Sequence, residues 1–236
     1  MTGYSKQTRI LTAIDCIVFG FDGAELKLLL IQRGFEPAKG QWSLMGGFVQ
    51  SGEAFDHATA RILKQLTGLE NVYMEQLHTF GDPERDPIER TISIVYFALI
   101  DIAQYQKQLN VNYHAEWFSL RNIPELIFDH NCMVKMAKEK LCYKAAFHPI
   151  LFELLPKRFT LPQLQNLYDG VYDIEFDKRN FSKRVMSTGL LIKQKEKERA
   201  SSKKGAFYYK LDKRKYDANF HSFLNFIANP NIIRKG

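Results

Sequence analysis

The residues best placed to do chemistry lie between positions 46 and 69. Gly46 and Gly47 are followed by Glu53 and Arg61, and then by positions 62, 65 and 66 ahead of Gly68. Those three positions are spaced i, i+3 and i+4, so on a helix they share one face. Carboxylates there would hold a hard cation against a pyrophosphate, because Mg²⁺ takes oxygen ligands and completes its shell with water and phosphate. Such a cation neutralises developing charge and activates the attacking water. This chain instead carries Ile62, Gln65 and Leu66. Two aliphatic side chains and a neutral amide leave Glu53 alone, which is a poor cation site. The segment therefore predicts binding without hydrolysis, and no residue is assigned to catalysis or to a metal.

The flanking sequence must position these groups. Residues 11–19 form an apolar, β-branched run, residues 20–23 a turn cluster, and residues 25–33 a second run, which together read as a hairpin. Gly40-Gln41-Trp42-Ser43-Leu44-Met45-Gly46-Gly47-Phe48 reads as a strand with a glycine turn. Its glycines allow positive φ and a close backbone approach to a phosphate-bearing ligand. A helix over residues 54–67 ends at Gly68, an ordinary C-terminal stop. Residues 92–100 form a further apolar strand and Glu116-Trp117-Phe118 opens a last one.

With these elements in place, residues 47–69 resemble the Nudix hydrolase box, G-x5-E-x7-R-E-U-x-E-E-x-G-U with U apolar. The match falls on Gly47, Glu53, Arg61, Leu63, Gly68 and Leu69 and fails at the three glutamates, while Met45 stands where proline is usual. The resemblance implies a Nudix fold kept for binding, in an α/β/α sandwich with a mixed sheet.

The chain has 236 residues, 45% hydrophobic and 25% charged, which is ordinary for a globular protein and long enough for two domains. Cys16, Cys132 and Cys142 lack metal-ligand spacing and are expected to be reduced thiols of a cytoplasmic protein. The six histidines are scattered, with no pair at helical ligand spacing. No run approaches a membrane span, and residues 1–10 are too polar for a signal peptide, so no membrane partner is expected.

Charge divides the chain. Residues 1–145 carry 15 Lys and Arg against 17 Asp and Glu, whereas the remaining residues carry 18 against 9. All the excess positive charge lies in the C-terminal part, which marks it for a polyanionic partner. Residues 148–155 read as a short apolar helix. Thr160 is an N-cap for a second helix containing Leu161, Leu164, Leu167, Tyr168 and Val171. Asp177 caps a third, residues 178–188, that stops at Gly189. Strands over residues 190–194 and 206–211 follow, joined by a lysine-rich loop. Three helices and a hairpin give the layout of a winged helix-turn-helix. Phe181 and Val185 are i, i+4 and point to the core, leaving Arg179, Asn180, Lys183 and Arg184 outside, with Lys178 at the helix start. Arg and Asn can read base edges, whereas Lys contacts phosphate without sequence information. The candidate DNA-binding set is therefore Lys178, Arg179, Asn180, Lys183 and Arg184, with Lys203 and Lys204 in the wing beside Lys193, Lys195, Lys197 and Arg199.

Taken together, the two halves resemble the Nudix-related transcriptional regulators of bacteria, over nearly the whole chain. The degenerate box carries the match, together with Thr79-Phe80-Gly81-Asp82-Pro83-Glu84-Arg85-Asp86-Pro87 and with Phe152-Glu153-Leu154-Leu155-Pro156 and Asp177-Lys178-Arg179-Asn180-Phe181. The resemblance implies an α+β chain: a Nudix-like ligand-sensing domain over residues 1–145 and a winged-helix DNA-binding domain over 146–236. It also implies a homodimeric repressor on a double-stranded DNA operator, tuned by a sugar, sugar phosphate or ADP-ribose-like effector. Loss of the metal face tilts the expectation toward a sugar or sugar phosphate, with no cofactor. Arg85, Asp86 and Glu116 fall where loops should converge over the sheet. An arginine there can clamp a phosphate or carboxylate, and acids can accept sugar hydroxyls. With Gly46, Gly47, Glu53 and Arg61 they form the candidate ligand-binding set, although Arg61 is expected chiefly to brace Glu53. Residues 129–147 read as a helix, with Met133, Val134, Met136, Ala137 and Leu141 inward, placed to transmit a rotation between domains. The competing class is an active Nudix pyrophosphohydrolase for ADP-ribose or nucleotide sugars, using Mg²⁺ on carboxylates outside the box such as Asp82, Asp86 or Glu116. A protein-binding module is a third.

Overall fold

A computed structural model describes residue 4 and residues 6–109, 114–199 and 205–218. Its organising element is strand β1 (Leu11–Phe21), whose apolar run is buried on both faces. Ile17, Phe19 and Phe21 enter one core while Ile14, Cys16 and Val18 enter the other. A strand covered on both sides needs such a near-continuous hydrophobic run.

Strand β2 (Leu26–Gln32) follows, then β3 (Trp42–Ser43), β4 (Met45–Phe48), β5 (Glu75–Phe80), β6 (Thr91–Asp101) and β7 (Ala115–Ser119). One edge of β1 pairs in parallel with β6 along its whole length. The other edge changes partner: residues 13–16 pair with β4 and residues 18–21 with β2, both antiparallel. The sheet therefore forks, and a wedge opens between β2 and β4. β7 takes the outer edge of β2, and β5 the outer edge of β6.

Helices cover both faces. Helix α1 (Phe55–Thr67) buries Ala58, Ile62 and Leu63 against Ile14, Cys16 and Met45 and ends at Gly68 with φ 82°. After the single turn α2 (Ile102–Tyr105), helix α3 (His130–Phe147) buries Met133, Ala137 and Leu141 against Ile17, Phe19 and Phe97. Met136, expected inward, is only half-buried, since it sits at the margin of the apolar stripe. The layers are those of an α/β/α sandwich with a mixed sheet. Strand β5 was not foreseen: it is an edge strand with no fully buried residue, so its apolar alternation is weak.

The C-terminal part begins with the short apolar helix expected over residues 148–155, here a 3₁₀ segment, Ile150–Leu154, that Pro149 and Pro156 confine to five residues. Strand β8 (Phe159–Thr160) runs into helix α4 (Leu161–Tyr172). Its start is fixed by a capping box in which Thr160 and Gln163 satisfy each other's backbone N–H. Helix α5 (Lys178–Ser187), strands β9 (Leu191–Glu198) and β10 (Ala206–Leu211), and helix α6 (Lys213–Ala218) complete it. The sheet order β8-β10-β9 and the helix pair over it make a winged helix. Strand β9 extends past the predicted end at residue 194, so Lys195 and Lys197 stand on the strand and not in the loop.

The two parts share one core. The buried cluster runs from Phe19 and Leu28 through Met133 and Leu141 to Leu154, Tyr168 and Phe181. Across the junction, the Tyr172 hydroxyl donates to the Cys142 carbonyl (3.0 Å), and the Cys142 thiol donates to the Val171 carbonyl (3.1 Å). Gly170 lies against Leu26; a Cβ there would stand 3.3 Å from the Leu26 Cβ. The division expected at residue 145 falls in the last turns of α3, a helix that both halves use.

Candidate ligand pocket and nucleic-acid interface

A cavity of about 320 Å³ occupies the wedge between β2 and β4. Its floor is a buried polar network. Asp15 on β1 accepts from the Ser93 hydroxyl (2.5 Å) and lies 3.5 Å from His130 Nε2 and 3.7 Å from Arg85. Arg85 in turn donates two hydrogen bonds to Asp129, at 2.9 and 2.8 Å, and its side chain is only 4% exposed. Planar fork-to-carboxylate pairing of this kind is the strongest form of ion pair.

His130 has an assigned tautomer by this geometry. The Leu44 N–H donates to Nδ1 at 3.2 Å, so Nδ1 is the bare nitrogen and Nε2 carries the proton toward Asp15. Burial lowers the His130 pKa, against the opposing pull of Asp15 and Asp129, and the ring serves as a neutral bridge.

The glycines earlier in the wall act by close approach alone. Gly46 and Gly47 lie in extended β4 and neither has positive φ, whereas Gly40, earlier in the same segment, has φ 81°. A Cβ on Gly46 would meet Asp15 Oδ1 at 2.5 Å, and one on Gly47 would meet Ile62 Cγ1 at 3.0 Å. Antiparallel pairing with β1 demands the extended backbone, and the buried carboxylate beside it demands the missing side chain.

Glu53 and Arg61 form a brace beside the pocket. Arg61 donates to both Glu53 oxygens (2.5 and 3.0 Å) and to the Phe48 carbonyl (3.0 Å), and Glu53 also accepts from the Gln50 N–H (2.7 Å). The Arg61 hydrogen bonds and the Gln50 amide hold the Glu53 carboxyl down at about 2. The face that would carry metal ligands is dispersed: Ile62 is buried beneath Gly47, Leu66 lines the cavity, and exposed Gln65 accepts from Arg61 at 3.2 Å.

Of the three loop candidates, Arg85 and Asp86 reach the cavity and Glu116 does not. Glu116 stands opposite Leu30 on the outer strand β7 with its side chain exposed, because alternation along β7 turns it away from the wedge. Sequence reasoning missed Asp15, Arg33, Ser93, His114, Phe128, Asp129 and His130. A lone carboxylate inside the apolar run of β1 was the available signal. Two of the missed residues, His114 (φ 48°) and Phe128 (φ 51°), hold positive φ at the cavity wall. Non-glycine residues in that region cluster at ligand clamps. A larger cavity of about 620 Å³ lies between the Leu26 end of β2 and helices α4 and α5, and Lys178 lines it. It lacks a convergent buried polar network, which leaves the wedge as the candidate ligand site.

Helix α5 presents the second surface. The Asp177 carboxylate caps it by accepting from the Asn180 N–H (2.9 Å), Phe181 and Val185 are buried, and Lys178, Arg179, Asn180, Lys183 and Arg184 are all exposed. On β9, the Lys193 and Lys197 ammonium groups lie 3.8 and 4.4 Å from the centroid of the Phe207 ring. Arg158 pairs with Glu196. Lys203 and Lys204 lie outside the described residues.

A mixed sheet with a forked central strand, flanked by helices and joined through α3 to a winged helix, defines a sensor domain carried on a nucleic-acid-binding domain. Residues 10–137 match the NUDIX domain, and residues 151–211 match the NrtR DNA-binding winged helix domain. The chain belongs to the Nudix-related regulators of the NrtR type. It is 31% identical over 220 residues to the ADPR responsive transcriptional repressor NtrR of Acinetobacter baylyi, covering 92% of this chain and 88% of that one. It is 41% identical over 130 residues to the ADP-ribose pyrophosphatase of Methanocaldococcus jannaschii, covering 55% and 76%. Among solved structures, NrtR of Shewanella oneidensis complexed with a 27mer DNA superposes with a TM-score of 0.72 at 29% identity, covering 87% of this chain and 95% of that one.

Proposed function

We propose that the chain is a transcriptional repressor that binds operator DNA through α5 and the wing and releases it in response to an ADP-ribose-like effector in the β2/β4 wedge. One observation carries the reading: a ligand-sized cavity is linked to an exposed Arg-Asn-Lys-Arg face on α5 through α3, which bonds to α4, whose Tyr168 packs on Phe181 of α5. His130 lines the cavity, the adjacent Asp129 holds Arg85 in its floor, and Cys142 bonds to α4. A ligand can shift DNA affinity only by binding two arrangements unequally, and α3 gives it an element to bias. As a dimer, the chain would set two α5 helices on half-sites about one DNA turn apart or a multiple of it.

Two relatives are named for ADP-ribose, one as a responsive repressor and one as its pyrophosphatase. That moves weight from a simple sugar to ADP-ribose, whose ribose hydroxyls suit an acceptor such as Asp86. The second relative also favours a hydrolase reading. The residues do not fit a catalytic Mg²⁺ site: Ile62 and Leu66 are aliphatic, Glu53 is engaged by Arg61, and Asp82 and Asp86 each cap a local turn. Among the described residues, no three His, Cys, Asp or Glu side chains form a group suited to a metal ion.

Calorimetric titration with ADP-ribose and Mg²⁺, followed by chromatography of the recovered ligand, separates the two. The sensor reading expects saturable binding with intact ADP-ribose recovered. Conversion to AMP and ribose 5-phosphate with turnover would replace it by the hydrolase.

A further inference from the structure

In a cavity that has lost its metal face, the diphosphate of an ADP-ribose-like ligand must be neutralised by the chain itself. Two guanidinium groups line the cavity, Arg33 and Arg85. Arg85 is already committed, bonded twice to Asp129, close to Asp15 and almost wholly buried. Arg33 is less committed. It is half-buried, and although the carboxylates of Asp86, Asp15 and Glu36 act on it electrostatically, it forms no contact ion pair among the described residues. Its Nε donates to the Phe35 carbonyl at 3.2 Å, while both terminal nitrogens are without an acceptor among the described residues.

The side chain is nevertheless held. The Arg33 N–H donates to the Gln41 carbonyl (2.9 Å) and its carbonyl accepts from the Gly40 N–H (2.7 Å), so the backbone is pinned on both sides. Its guanidinium carbon lies 4.0 Å from the Phe35 ring centroid and 5.9 Å from that of Phe128. Stacking on aromatic faces suits guanidinium and leaves its in-plane N–H groups free. Phe128, one of these rings, is itself held at φ 51°. A positioned, charged fork with unspent donors at the mouth of a cavity is what an anionic ligand requires.

We propose that Arg33 is the phosphate-binding residue of the effector site, supplying from the chain the positive charge that a metal would otherwise bring. Phe35 and Phe128 hold its fork in place, and Arg85 shapes the floor without touching the ligand's charge. This assignment rests on the reading of the wedge as an ADP-ribose-like site.

Calorimetry in EDTA tests it, with wild type, Arg33→Gln and Arg33→Lys compared at two salt concentrations. Wild type is expected to bind ADP-ribose without added metal, and more weakly at high salt. Arg33→Gln should lose about tenfold to a hundredfold in affinity, the range for one charge-assisted hydrogen-bond set, and most of the salt dependence. Arg33→Lys keeps the charge but not the fork, so it should lose less. Unchanged thermal midpoints and DNA affinity of the free variants show that the fold is intact; should the Gln variant not fold, the Lys variant decides. Variants that bind as wild type does, or a wild type that needs Mg²⁺, overturn the role of Arg33 alone. A wild type that binds no ADP-ribose under either condition removes the site reading beneath it.

Discussion

Replacing Asp129 by alanine isolates the Arg85 pair that holds the floor of the wedge. The Arg85 side chain is 4% exposed and that of Asp129 20%, and two hydrogen bonds of 2.9 and 2.8 Å join them. Removing one partner of a buried pair leaves an uncompensated charge, at a cost of about 3–5 kcal/mol. Asp15 remains 3.7 Å from Arg85 and Asp129 is partly wetted, so the loss should fall near the lower end, about 3 kcal/mol. For a chain of this size that corresponds to a fall of roughly 6–12 °C in Tm. The control is Glu70→Ala. Its 2.8 Å pair with Lys64 is 49% and 62% exposed, and should be worth less than about 1 kcal/mol. Thermal unfolding followed by circular dichroism measures both. Equal shifts in the two variants would refute the reasoning that burial makes the Arg85 pair structural.

Gly46→Ala should displace the Asp15 carboxylate, costing about 1–3 kcal/mol in denaturant unfolding. Gly81→Ala, with open space around its Cβ position, should change stability by less than about 0.5 kcal/mol. The Glu53 carboxyl should titrate at about 2 by NMR. Its folded pKa lies below the ordinary 4.5, so its contribution is complete above pH 4.5 and is lost as pH falls through about 2; Glu53→Gln should abolish that part of the acid limb. On helix α5, Arg179→Ala and Asn180→Ala should each cost about 1–3 kcal/mol on a cognate duplex and relax sequence preference. Lys183→Ala should weaken cognate and scrambled duplexes alike, as seen by fluorescence anisotropy.

Much of the framework was legible because it is local. The apolar run of β1, Gly68 after α1, the Thr160 cap of α4 and the Asp177 cap of α5 are each set by residues within one element. Strands β5 and β8 were not, since one is a polar edge and the other is two residues long and exists only through its pairing with β10. The Glu53–Arg61 brace could be anticipated from its spacing across one loop and helix. The cavity floor could not. Asp15, Arg85 and His130 come from three distant segments, and Ser93 reaches Asp15 only through the parallel register of β1 with β6. A histidine read as unassigned and a carboxylate in a core strand gain meaning only when the fold brings them together. The same holds for Gly46, whose need for glycine comes from Asp15 on the neighbouring strand and not from its own φ.

The central claim is that occupancy of the wedge controls the DNA affinity of α5. Its most direct test is fluorescence anisotropy on duplexes tiling the upstream region of this chain's own gene, against a scrambled control at fixed salt, with ADP-ribose titrated into the preformed complex. The account predicts tight, sequence-selective binding that ADP-ribose reverses at saturation while ribose does not. Selective DNA binding unaffected by ADP-ribose, or salt-sensitive binding with no sequence preference, would contradict it.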